Sequence, residues 1–178
     1  MYSDVLSFWF DEINPSQWWQ QNSGLDRIIK FRFGETHAQA IRCELFDWRK
    51  TAEGRLAEII VIDQFSRNIF RGSPLSFAYD PLALALAQEA VSTNEDKALP
   101  ESKRCFFYMP FMHSESLEIH SVAMDLYQRN GIKSNLDAEI QHKRIIQRFG
   151  RYPHRNDILG RASTEEEIRF LQQPGVSF

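Results

Sequence analysis

The sequence is poor in the residues that usually announce a chemistry. Its two cysteines, Cys43 and Cys105, lie far apart and match no metal or redox spacing. No disulfide framework is expected, and reduced thiols in a cytoplasmic protein are the simplest account. The eight glycines form neither a phosphate-cradling loop nor a dinucleotide fingerprint, and the patterns G-x-S-x-G, H-E-x-x-H and C-x-x-C are missing. ATPase, dehydrogenase, α/β-hydrolase and zinc-protease readings are thereby disfavoured, and no cofactor is implied. No apolar run reaches the roughly 18 residues that a membrane span requires. The stretch Met1 to Phe10 carries Asp4 and no basic flank, unlike a signal peptide. With a net charge of -3 the chain has no general attraction for nucleic acid or acidic membranes, so neither is an expected partner.

What is present describes a folded chain with an aromatic-rich interior. Of the 178 residues, 43% are hydrophobic, 13% aromatic and 25% charged. That length fits one domain over residues 1–178, large enough for a core without staples. Helical spacing of apolar residues recurs almost everywhere, and strict alternation is nowhere sustained. The expected fold is all-α, an antiparallel bundle of seven to nine helices. Ser3 is placed to cap a first short helix, and Asn14-Pro15-Ser16 breaks the chain before Trp18-Trp19. A longer helix is expected from Gly24 to about Glu44, and Thr51 should cap one reaching Asn68. Asp80-Pro81 and Leu99-Pro100-Glu101 open two more, the second ending or kinking at Pro110. Further helices are expected from Ser114 or Ser116 to Asn130-Gly131, and from Leu136 to Phe149. Ser163-Thr164-Glu165-Glu166 fits a capping box for the last. Trp9, Trp18, Trp19 and Trp48 are expected in an aromatic core cluster rather than a binding groove.

Asp63 is the most informative residue. Leu56, Ile59, Ile60, Asp63 and Arg67 share one face of a helix, so a carboxylate falls on a stripe that otherwise meets the core. A charge there must be paired or neutralised. Arg67, one turn on, is the nearest partner, and Arg71, Arg148, Arg151, Arg155 or Arg161 could reach it through the fold. A buried ion pair holding the Arg-Asn loop is the plain explanation, and a general base or ligand anchor is the functional one. Around Pro110-Phe111-Met112-His113-Ser114-Glu115, Ser114 and Glu115 have capping reasons to be present, whereas His113 has none. His142 sits on the apolar face of its helix, as a core histidine does. Glu139-Ile140-Gln141-His142 matches one half of a di-iron motif, but no second copy exists and no metal is expected. His37 and His120 read as helix surfaces or edges. From Lys143 to Arg161 six basic residues face one acid, Asp157, a charge suited to phosphate or carboxylate and equally to helix ends.

The runs Asp63 to Gly72, Pro110 to Glu115 and Arg148 to Arg161, with Phe8-Trp9-Phe10 and the closing Phe170-Leu171 and Pro174-Gly175, resemble the uncharacterised DUF924 family along nearly the whole chain. The resemblance implies a tetratricopeptide-like helical fold. It implies no activity, because the family has none established. A strict repeat of about 34 residues is absent. A weak echo between Arg67-Asn68 to Ser73 and Arg155-Asn156 to Ser163 is explained by shared helix-ending needs.

These features are expected to converge on one polar site. Asp63, Arg67 and Arg71 come from the first motif and His113 and Glu115 from the second. Arg151, His154, Arg155 and Asn156 come from the third, and His142 joins them. Two functions follow: a binding or scaffold protein whose cluster receives a small anion or a peptide carboxylate, or an enzyme, such as a hydrolase, using Asp63 or His113 as acid or base.

Overall fold

The structure is a computed structural model that describes residues 1–173; Pro174 and Gly175, which carry part of the family resemblance, lie outside the described residues. Among the described residues every regular element is helical. The α-helical segments are α1 (Tyr2–Ser7), α2 (Ser23–Ile41), α3 (Ala52–Ile60), α4 (Ser66–Ile69), α5 (Asp80–Ser92), α6 (Glu101–Met112), α7 (Leu117–Asn130), α8 (Lys133–Phe149) and α9 (Glu165–Leu171). A π-helical turn, Val61–Phe65, joins α3 to α4 without a break, giving eight α-helices among the described residues. Thr51 caps this helix, its side chain accepting from the Gly54 backbone. The helix does reach the Arg-Asn loop as the spacing predicts, but the π turn at Asp63 was not in that spacing. Such turns insert a residue and concentrate at functional sites.

The elements α5, α6, α7 and α8 pack each against the next. Their short connections make neighbours antiparallel, which is compatible with the tetratricopeptide-like expectation. Gly131 and Gly150, both left-handed, end α7 and α8 where the sequence places stops. Some boundaries differ. α2 stops at Ile41, before a left-handed Cys43. Met1, not Ser3, precedes α1, and the last capping box is Thr164 with Glu167, one residue later than the Ser163–Glu166 box expected from the sequence. Pro110 lies within the last turn of α6, which ends two residues on.

The main core gathers Leu56, Ile59, Ile60, Val61, Ile62 and Phe65 of the α3–α4 helix, all essentially without exposure, against α1, α2, α5 and α6. Each such side chain contributes roughly 1.5–3 kcal/mol of burial. A second cluster of Ile145, Ile146, Tyr152 and Phe170 fastens α8, the 150s loop and α9 together. His37 and His120, expected at surfaces, are both buried. His37 bonds the Ser66 hydroxyl at 2.8 Å and lies against the rings of Phe70 and Tyr79. His120 meets Glu139.

Candidate functional site

The π turn puts Asp63, 1% exposed, under the end of α6. Its Oδ1 lies 2.7 Å from His113 Nδ1 and 3.3 Å from Arg67 Nη1, and its Oδ2 accepts from Gln64 at 2.5 Å. Arg67 also donates to the Asp63 carbonyl at 2.6 Å and to Asp80 at 3.0 Å. Asp80 in turn accepts from Arg155 at 3.1 Å, and Arg155 donates to the His113 carbonyl at 3.0 Å. Two aspartates, two arginines and one histidine thus form a continuous network drawn from four separate stretches. Asp63, His113 and Arg155 are brought together.

Burial alone would push the Asp63 carboxyl up, but the Arg67 charge and the His113 contact hold it below the usual carboxylate range. Burial and the same Arg67 charge push His113 down. At neutral pH the pair is therefore a carboxylate and a neutral imidazole. The carboxylate can only accept, so Nδ1 carries the imidazole proton and Nε2 keeps a lone pair. No described residue bonds Nε2.

His113 stands on the wall of a cleft of about 580 Å³, within the range of small-molecule sites. Arg67, Arg71, His142, His154 and Arg155 share that wall. Burial pushes His142 down to about 3 and His154 to about 4, so both are uncharged at neutral pH. His142 keeps one nitrogen on the Ala138 carbonyl at 2.8 Å, as expected of a core histidine. Arg71 is held by Asp26 at 2.7 and 2.8 Å, and Asn68 supports the same carboxylate. Arg155, 6% exposed, lies with its guanidinium carbon 4.5 Å from the Phe77 ring and 4.7 Å from the Tyr152 ring.

Glu115, Arg151 and Asn156 stand beside the cleft rather than on its wall. Glu115 holds Arg161 at 2.7 and 2.9 Å and accepts from the Tyr152 backbone. Arg161 also reaches Asn156 at 3.0 Å, and Arg151 grips Glu167 at 2.7 and 2.8 Å. These bonds staple the loop that carries Tyr152, His154 and Arg155 into the wall. Sequence reasoning missed Asp80, whose Asp-Pro context reads as a helix cap, while its carboxylate bridges two arginines. It also set Trp18 and Trp19 in the core, whereas both line the cleft, Trp18 while packing against the core; Trp9 is buried in the core as expected and touches the same wall. Among the described residues no group of three or more histidine, cysteine, aspartate or glutamate side chains is placed to hold a metal ion, and no helix is long and apolar enough to cross a membrane.

The fold and the cleft define a class: a single helical domain whose hairpins frame an arginine- and histidine-lined cavity. A family described as bacterial proteins of unknown function, DUF924, matches residues 5–175, and the chain belongs to that family. A solved structure of a protein of unknown function from Agrobacterium tumefaciens is similar at a TM-score of 0.91, with 39% identity over 96% of each chain. No curated protein matches.

Proposed function

We propose that the chain is a binding protein whose cleft receives a small anion or a peptide carboxylate. One observation carries the reading: Arg67, Arg71 and Arg155 line the cleft, and among the described residues no aspartate or glutamate does. The partners of these arginines, Asp26, Asp63 and Asp80, are set outside the wall. The cavity accordingly presents cations while the region as a whole stays balanced, and the carboxylates hold each guanidinium in place before a ligand arrives. Such preorganisation lowers the ordering cost of binding. The test is the melting temperature of the full chain with sodium phosphate, malonate or a blocked dipeptide bearing a free carboxylate, at fixed ionic strength. A concentration-dependent rise is expected, about 2.7 kcal/mol at a hundredfold excess over Kd, and it should shrink in Arg71→Gln. Flat melting temperatures with all three probes would sink the reading.

The Asp63–His113 pair supports a second reading, an enzyme. Asp63 orients the imidazole, and a lone pair at Nε2 beside an arginine-lined cavity is the arrangement of a general base. Turnover of anionic aryl esters by the full chain, lost in His113→Gln, is the expected result under this reading; absence of turnover across the panel leaves binding alone.

A further inference from the structure

We infer that the ligand is a planar aromatic anion, its charged group against the arginines and its ring against the tryptophans at the rim. The inference rests on the anion-binding reading and names the ligand class. The short turn Pro15–Trp19 is fixed by Asn14, whose side chain accepts from the Ser16 backbone at 3.0 Å and whose backbone donates to Gln17 at 2.9 Å. It presents Trp18 and Trp19 to the same cleft that Arg67, Arg71 and Arg155 line. Trp18 is pinned by a 2.9 Å bond from its Nε1 to the Trp9 carbonyl and stacks on the Trp9 ring at 6.2 Å. Trp19 stacks on Phe106 at an interplanar angle of 8° and is still 57% exposed. A rigidly held indole left that open at a cavity mouth is a stacking platform.

Met109, Met112 and Ala138 add apolar surface to the same wall. A ligand with an anionic head and a flat apolar face complements the arginines and the indoles together; inorganic phosphate complements only the arginines.

The experiment is calorimetric titration of the full chain with phenyl phosphate and benzoate against phosphate and acetate, and with benzyl alcohol as the uncharged control. Each aromatic acid should bind about tenfold or more tighter than its ring-free counterpart, from the usual strength of base–aromatic stacking. Preference for the phosphate or the carboxylate pair identifies the head group. Trp19→Ala, which changes an exposed residue, should erase most of the gain from the ring and leave phosphate or acetate binding unchanged. Phosphate or acetate binding with no gain from the ring, or a gain that survives Trp19→Ala, overturns the inference and leaves the anion reading standing. Failure of all four anions to bind, or benzyl alcohol binding as well as the acids, overturns the anion reading with it.

Discussion

Asp63–His113 and His120–Glu139 share a 2.7 Å contact through Nδ1 and differ in what surrounds it. His120 and Glu139 are sealed at 0% exposure. The other nitrogen of His120 donates to the Ser114 carbonyl at 2.9 Å and lies 3.2 Å from the Tyr152 hydroxyl. With no arginine beside it, Glu139 is pushed up by burial. Asp63, beside Arg67, is held down. The two pairs meet at the turn after α6. Tyr152 donates to the Met112 carbonyl, Arg155 to that of His113 and His120 to that of Ser114. The sealed pair fastens the turn that aims His113 at the cleft, which separates a supporting histidine from one with a nitrogen to spare.

Neutralising each carboxylate is the sharpest way to break that contrast. Asp63→Asn strips Arg67 of one of its two counter-charges in the core, and removing one partner of a buried pair costs about 3–5 kcal/mol. The loss should sit at the low end because Asp80 still holds Arg67. It is measured by urea unfolding at pH 7. Because the folded Asp63 lies below its ordinary value of 3.8, its contribution is fully present above that pH and is lost as pH falls through the folded value. The gap between the variant and the parent should therefore close only in strong acid.

Glu139→Gln should cost only about 1 kcal/mol, the worth of one altered hydrogen bond. A glutamine amide can donate to His120 Nδ1, so a hydrogen bond to the imidazole is kept. Here the pH dependence has the opposite sense. Glu139 lies above its ordinary value of 4.5. Its contribution is complete below that pH and declines as pH rises toward the folded value. The penalty of the substitution should shrink from pH 4.5 upward, and a penalty that grew instead would place the charges of this pair differently.

How much of this the sequence shows depends on the distance over which each partner acts. Asp63 with Arg67 is one turn of helix, and hydrophobic spacing exposes the misplaced carboxylate. Nearly every helix and stop is legible for the same local reason. His120 with Glu139 joins two helices through side chains 19 residues apart, and no spacing rule pairs them; the Glu-x-x-His pattern instead draws attention to His142, which bonds a backbone carbonyl. Asp80 was hidden because a residue before proline at a helix start already has a use. Trp18 and Trp19 misled because tryptophan is the same large apolar residue at a cavity rim as in a core.

A third pair completes the series at its weak end. Arg71 and Asp26 are joined by two short hydrogen bonds, yet their side chains are 35% and 15% exposed, so solvent screens what the core does not. Pairs of this kind contribute about 1 kcal/mol or less, and Arg71→Gln retains a donor for Asp26. Its unfolding midpoint in urea should accordingly fall little, and raising the salt concentration should narrow the difference further. Asp63→Asn should respond less to salt, since its charges lie where ions do not reach. That contrast is what makes Arg71 the informative arginine of the cleft: it can be removed from a chain that still folds, so a loss of anion binding in this variant reports on the wall and not on the core beneath it.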